Sequence, residues 1–339
     1  MWMTHLENYI FFLLEVVTIV VAILLIFSGL VAIAAKNKGK KKGQLIIKPL
    51  NKSYEKIKDQ MAEEILSKKE LKALNKQNKQ KEKELNKNNK TDKKDEEIKE
   101  KRVFVIDFDG DIHASQVSSL REEITAVLSL ATKNDEVIVK LTSPGGVVHG
   151  YGLAASQLER IKKAGIHLTV IIDKVAASGG YMMACVGNKI LSAPFAIVGS
   201  IGVVGQLPNF HRLLENHGID FEQHTAGKYK RTLTMFGEND DKGREKFKED
   251  LEQMHQLFKR HIEKFRPSLD LEKIATGEYW LGYDALDLGL IDDLSTSDDY
   301  LFELNQKENL KLFEVNYKIK QSPMKKLTNS AKLLFSKFN

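Results

Sequence analysis

The sequence predicts an α/β body built on a parallel sheet, preceded by one transmembrane helix and a lysine-rich spacer. Three observations carry this. Short apolar runs alternate with segments of helical periodicity between residues 103 and 293. An uncharged apolar run of about 20 residues lies near the N-terminus, the length a membrane span needs. Charge is also segregated: the net value is +6 over 339 residues, yet 36–102 hold eleven more basic than acidic groups and 103–317 nine more acidic than basic, while 318–339 hold six lysines and no acid. A composition of 42% hydrophobic and 29% charged residues excludes a polytopic membrane protein and a wholly disordered chain. The single cysteine, Cys185, excludes an intrachain disulfide and a thiolate zinc cluster.

Val16 to Ala35 is the uncharged run. A cleaved signal peptide is the competing reading, since Ala32-Ile33-Ala34 resembles a cleavage site. No Lys or Arg precedes Lys36, however, so the basic n-region is missing and 1–35 reads as an uncleaved anchor. Lys36, Lys38, Lys40, Lys41 and Lys42 follow the run, and the positive-inside rule places everything after them in the cytoplasm. In the spacer, 36–102, Ile57, Met61, Ile65, Leu66, Leu71 and Leu74 keep a rough helical spacing; beyond Leu74 too little can be buried to offset ordering entropy. It reads as a solvated tether, with contact to anionic headgroups as the second reading. Nucleic acid is disfavoured as a partner, because Tyr54 is the spacer's one aromatic for stacking a base.

The body begins with VFVIDFDG (103–110), a short apolar run closed by a turn, hence a buried strand. Ala114 to Ala131 has Val117, Leu120, Ile124, Val127 and Leu128 at helical spacing. EVIVKL (136–141) is the next strand, Val148 to Ala164 a helix and LTVIID (168–173) a third strand. ASGGYMMACV (177–186) reads as a small-residue helix and KILSA (189–193) as a strand, followed by amphipathic helices over Gly243 to Phe265 and Tyr283 to Leu288. In such sheets chemistry sits where strands end and loops turn into helices. Two turns qualify: Thr142-Ser143-Pro144-Gly145-Gly146 and Lys174-Val175-Ala176-Ala177-Ser178-Gly179-Gly180.

Ser178 follows a strand, opens a helix and has small neighbours, so a substrate carbonyl can approach its hydroxyl. Its own N–H and that of Gly179 belong to the first turn of a helix, whose donors favour negative charge. With the Gly145 and Gly146 N–H groups they would form an oxyanion hole, each donor worth about 3 kcal/mol. The plainer reading is that Ser178 is a helix cap and the glycines serve packing; spacing alone does not separate the two. A nucleophilic serine needs a base, and none of the nine histidines falls in either loop. A lysine that burial keeps neutral would serve, but composition selects none of them. A metal hydrolase finds no support, with no His-Glu-x-x-His and no cysteine pair.

The segments SPGGVVHGYGLAASQL, DKVAASGGYMMAC, SAPFAIVGSIGVVGQ and HTAGKYKRTLTMFGEN resemble the signal peptide peptidase A family of serine-lysine proteases, in its SohB branch. The resemblance runs over essentially the whole chain and is most specific over 103–293. It implies a ClpP/crotonase-like fold, a spiral of ββα units, with 103–293 as the protease domain and 294–339 as a C-terminal extension with a basic tail. It implies Ser178 as nucleophile and Lys230 as general base, Lys228 being the near alternative. Gly179 with Gly145 or Gly146 would form the oxyanion hole, and Ser200 would orient the lysine. The activity implied is cofactor-free and metal-free hydrolysis of peptide bonds in unfolded or membrane-derived peptides such as signal peptides, by a homo-oligomer anchored in lipid by its N-terminal helix. The location implied is the bacterial inner membrane with the body in the periplasm, against the positive-inside rule. A crotonase-like acyl-CoA enzyme using the same loops and a non-catalytic membrane scaffold or chaperone are the competing classes.

Overall fold

A computed structural model describes residues 11–24, 43–76, 80, 101–307 and 309–319. It divides into two units, Met1–Gln44 with Lys318–Asn339, and Leu45–Tyr317. Of the first unit, 11–24 is a helix whose apolar side chains, Phe11 to Leu24, are exposed. Among the described residues no helix is long and apolar enough to cross a membrane. Residues 25–35 of the Val16–Ala35 run, residues 36–42, 77–79 and 81–100 of the lysine-rich spacer, and the basic tail from residue 320 lie outside the described residues.

The second unit is a mixed α/β structure dominated by parallel pairing. Its strands are β1 (Gln44–Pro49), β2 (Lys101–Asp109), β3 (Glu136–Thr142), β4 (His167–Ile172), β5 (Val175–Ala177), β6 (Lys189–Ser192), β7 (Ile197–Gly199), β8 (Tyr279–Leu281), β9 (Asp293–Leu294) and β10 (Leu310–Lys318). Its helices are α1 (Leu50–Ile65), α2 (Val117–Leu128), α3 (Val148–Lys163), α4 (Gly179–Ala184), α5 (His211–Asn216), α6 (Asp241–Phe265), α7 (Leu271–Ile274), α8 (Gly282–Asp287) and α9 (Ser297–Gln306). The main sheet runs β1-β10-β2-β3-β4-β6-β9, and every pair from β10 to β9 is parallel. A second sheet, β5-β7-β8, has β5 parallel to β7 and β8 antiparallel to it. Twice the chain leaves the main sheet for the small one, at β4→β5 and at β6→β7, and the first of these crossings delivers Ser178.

Period-two alternation explains why the central strands read as unbroken apolar runs. Phe104, Ile106 and Phe108 join the core shared with α2, α3 and α4, whereas Val103 and Val105 join Ile138, Ile171, Leu191 and Leu301 and Leu304 of α9 on the other face. α9 is tied to the carboxyl end of β4, where Ser297 donates its N–H and hydroxyl to Asp173 at 2.7 and 2.6 Å. The helix expected from Ala114 starts at Val117, because Ala114 takes φ 51° and closes a turn with its carbonyl on Val117 N–H. The helix expected from Ala177 starts at Gly179, because Ala177 belongs to β5.

Glu123 on α2 is buried against β10. One carboxyl oxygen accepts the Tyr317 N–H at 2.7 Å and the other, Oε2, has no hydrogen-bond partner. Burial pushes its pKa up to about 7; the Tyr317 N–H opposes this and the charge of Asp107 reinforces it. The folded form therefore holds this proton more tightly than the unfolded chain does, and stability falls as pH rises from the ordinary carboxylate range through about 7. Glu123→Gln keeps an acceptor for Tyr317 and removes the charge. It should raise the unfolding free energy at pH 8 by about 2 kcal/mol and give no such gain near pH 5, read from urea titrations at both. An equal effect at both pH values would show that the carboxyl does not titrate there.

Candidate active site

Ser178 occupies the turn between β5 and α4 with φ 52° and ψ −116°, a conformation that L residues rarely adopt. Two backbone bonds hold it. Its N–H donates to the Gly199 carbonyl at 2.7 Å, and its own carbonyl accepts the Met182 N–H at 3.0 Å. The side chain is half-buried, makes no hydrogen bond among the described residues and caps nothing, although it stands at the N-cap position. This separates the two readings of the sequence: a serine held for capping would turn its oxygen onto the helix N–H groups. The Ser178 N–H, expected from sequence among the free donors, is taken by Gly199 because β5 and β7 pair in the register Ala177↔Gly199.

The second loop reaches the same place. An isolated bridge joins Ser143 to Ala176, with the Ser143 N–H on the Val175 carbonyl at 2.8 Å and the Ala177 N–H on the Ser143 carbonyl at 3.0 Å. Gly145, at φ 89°, comes so close that a Cβ on it would lie 2.8 Å from Ser178 Cβ and 2.9 Å from Gly179 N. Its N–H donates to Ser143 Oγ at 3.1 Å. The N–H groups of Gly146 and Gly179 donate no hydrogen bond among the described residues. Of the four donors predicted from sequence, Gly146 and Gly179 are uncommitted, Gly145 is taken by Ser143 and Ser178 by Gly199.

A hydroxyl chain that the sequence reading missed braces this loop. Buried Ser143 donates to Tyr151 Oη at 2.6 Å, and Tyr151 donates to the Asp111 carbonyl at 2.8 Å. Tyr151, on α3, is fully buried, and its ring lies against Gly179. The available signal was a tyrosine on a helix face otherwise made of Ala154, Ala155, Leu158 and Ile161.

Ser200 follows Gly199, whose carbonyl accepts the Ser178 N–H. It too has positive φ, 51°, and its N–H donates to the Glu278 carbonyl at 2.7 Å. Met182, whose N–H binds the Ser178 carbonyl, also lines an apolar cavity of about 210 Å³ with Val148, Met254, Leu257, Phe258 and His261. His261 Nε2 donates to the Met182 carbonyl at 2.9 Å, and burial lowers its pKa, so the imidazole is held neutral on the cavity wall. No cluster of three or more His, Cys, Asp or Glu side chains that could hold a metal gathers among the described residues.

Lys230 stands apart. It is exposed, in the irregular stretch between β7 and α6, and its side chain makes no hydrogen bond or ion pair among the described residues. That stretch is anchored on the N-terminal turns of α6: the Tyr229 ring lies 5.6 Å from the Lys246 ammonium and 5.0 Å from that of Lys228. α4, behind Ser178, instead meets α6 at His261. Lys246 and His261 are separated by about 22 Å of helix axis. Nothing within one chain bonds Lys230 to Ser178 or Ser200.

Two family models match the chain, Peptidase family S49 N-terminal over residues 4–158 and Peptidase family S49 over residues 160–311. A probable protease SohB of Haemophilus influenzae is 48% identical over 330 residues, covering 96% of this chain and 93% of its own length. A probable protease SohB of Buchnera aphidicola subsp. Schlechtendalia chinensis is 48% identical over 303 residues, covering 88% and 99%. Protease 4 of Salmonella typhi is 28% identical over 218 residues, covering 61% of this chain and 32% of its own length.

Tyr151→Phe removes the hydroxyl that accepts from Ser143 and donates to Asp111. It should cost about 1–3 kcal/mol of stability, because the buried Ser143 hydroxyl loses its acceptor and the Asp111 carbonyl its donor. The drop should appear as a lower urea midpoint with unchanged slope; an unchanged midpoint would mean that Ser143 and Asp111 bond elsewhere.

Proposed function

The chain belongs to peptidase family S49, in its SohB branch, and is a peptidase; on that premise we propose a membrane-anchored serine endopeptidase working through a Ser178–Lys230 dyad. The observation that carries this is the strained, unbonded Ser178 with the free N–H groups of Gly179 and Gly146 beside it. Ser178 Oγ attacks the peptide carbonyl as its proton passes to the Lys230 amine. The developing oxyanion accepts from Gly179 and Gly146, whose N–H groups have no other partner among the described residues. The lysine then protonates the leaving amine, and water, deprotonated by the same lysine, hydrolyses the acyl-enzyme. Ser200, following Gly199, is the group suited to orient the amine.

Because Lys230 and Ser178 anchor to opposite ends of α6, the dyad closes between copies: Lys230 of one chain serves Ser178 of its neighbour in a homo-oligomer. The stretch carrying Lys230 exposes Val204, Leu213 and Ile219, apolar surface that a neighbour would cover. Such docking removes water from the ammonium, the condition under which a lysine acts as a base. The apolar cavity that Met182 lines suits an apolar substrate side chain, as unfolded or membrane-derived peptides, signal peptides among them, supply. The strand-to-strand crossings support a ClpP/crotonase-type spiral. The exposed apolar helix at 11–24 supports a single inner-membrane span over Val16–Ala35, with the body in the periplasm after the family pattern; protection of the body from added protease in spheroplasts would place it in the cytoplasm instead.

Ser178→Ala and Lys230→Ala should each lower peptidase kcat at least a thousandfold with the fold intact. Mixed oligomers, made by co-expressing the two, should regain activity, since some interfaces pair an intact serine with an intact lysine. A fluorophosphonate should label Ser178 in the wild type and far more slowly in Lys230→Ala. Near-wild-type turnover by Lys230→Ala would remove it as the base, and inactive mixtures would confine the dyad to one chain.

A further inference from the structure

At the opposite end of the main sheet from Ser178, a cavity of about 210 Å³ lies between the amino ends of β4 and β6, lined by Lys133, Lys162, Gly165, Ile166, His167 and Asn188. His167 opens β4, and Asn188 immediately precedes β6. Two ammonium groups are brought to it by packing rather than by ion pairing. The Lys133 stem lies across Gly165, where a Cβ would stand 3.2 Å from Lys133 Cε. Lys162 is half-buried at the end of α3, its ammonium 5.2 Å from the centre of the Phe265 ring. Neither forms an ion pair among the described residues.

The carboxylates nearby are already committed. Glu159 pairs with Lys264 at 2.6 Å and Lys163 at 3.3 Å, Asp135 with Arg102 at 2.7 Å, and Asp292 with Arg266 at 2.8 Å. Asn188 Oδ1 accepts the Leu168 N–H at 3.0 Å, which leaves its amide hydrogens uncommitted. The cavity therefore gathers donors and positive charge without an acceptor, in a body whose net charge is negative. Burial lowers the Lys162 pKa, Cys185 and Glu159 opposing this and the Arg266 charge adding to it.

We propose that this cavity binds a phosphate-class anion, either free phosphate or the phosphodiester of a lipid headgroup, through Lys133, Lys162, His167 and the Asn188 amide. A tetrahedral oxyanion presents acceptors in several directions, which matches donors arriving from three separate chain segments. Because the site lies across the sheet from Ser178, occupancy makes no contact with a bound peptide, and the proposal stands or falls independently of the dyad.

The test is calorimetric titration of the full chain in a neutral detergent, with inorganic phosphate in one arm and dihexanoyl phosphatidylglycerol below its critical micelle concentration in the other. Saturable binding is expected in at least one arm, weakened tenfold or more in Lys133→Gln/Lys162→Gln, with fluorophosphonate labelling of Ser178 unchanged. Binding of phosphate identifies a free anion as ligand, and binding of the phosphodiester alone identifies a headgroup. Should the double variant fail to fold, the exposed Lys133→Gln alone should still weaken binding severalfold. No saturable heat in either arm, or equal affinity in wild type and variant, overturns the proposal.

Discussion

The short hydrogen bond from the Ser178 N–H to the Gly199 carbonyl holds together everything else at the site. It is the last rung of a three-residue parallel pair, Val175–Ala177 against Ile197–Gly199, and it pins a backbone conformation that costs of order 1–3 kcal/mol to occupy. The Met182 N–H on the Ser178 carbonyl holds the other side of the residue. With both backbone groups committed, the hydroxyl is left projecting and unbonded. Trp280 closes over Gly199, where a Cβ would stand 2.7 Å from its ring, so the acceptor of the key bond is itself held in place. The small sheet exists to hold one serine in a turn it would not otherwise adopt.

The loop opposite is built the same way, with side-chain hydroxyls in the role that strand pairing plays for Ser178. Ser143 uses its backbone on β5 and its hydroxyl on Tyr151, and Tyr151 fills the space behind Gly179. The two loops are thus braced through a shared buried tyrosine, and the gap between Gly146 and Gly179 is fixed before any substrate arrives. By contrast, Lys230 belongs to a stretch held by its own small cluster, in which Asn209 and Asn239 bind the Thr234 carbonyl and Phe210 and Phe221 lie against Phe236. Ser178 is held by its backbone at both groups, whereas Lys230 sits on a stretch with contacts of its own.

The central strands of the main sheet, β2, β3, β4 and β6, were legible because burial on both faces leaves apolar runs such as VFVI and LTVII. Those of the small sheet were not, since VAA and IVG are too short to show any period. β10 escaped notice for a different reason: it alternates polar and apolar residues weakly. Ser178 and its glycine neighbours could be picked out from residue size, which reports how much room a turn has. Size says nothing of the dihedral angles, and the fate of the Ser178 N–H depends on a strand register no local pattern encodes. Lys230 was found through resemblance alone, as no burial or charge pattern in its own segment distinguishes it from Lys228.

The place of β10 in the sheet bears on when the molecule completes itself. Leu310 pairs with Lys101 and Leu312 with Val103, so the strand made last lies between β1 and β2, two of the strands made first. Neither of those early strands has its full set of backbone partners until residue 314 has left the ribosome. Closing a loop of this length is slow and cannot be completed piecemeal during synthesis. A peptidase so arranged passes through its own emergence as an incomplete sheet, which closes only once residues 310–314 are out.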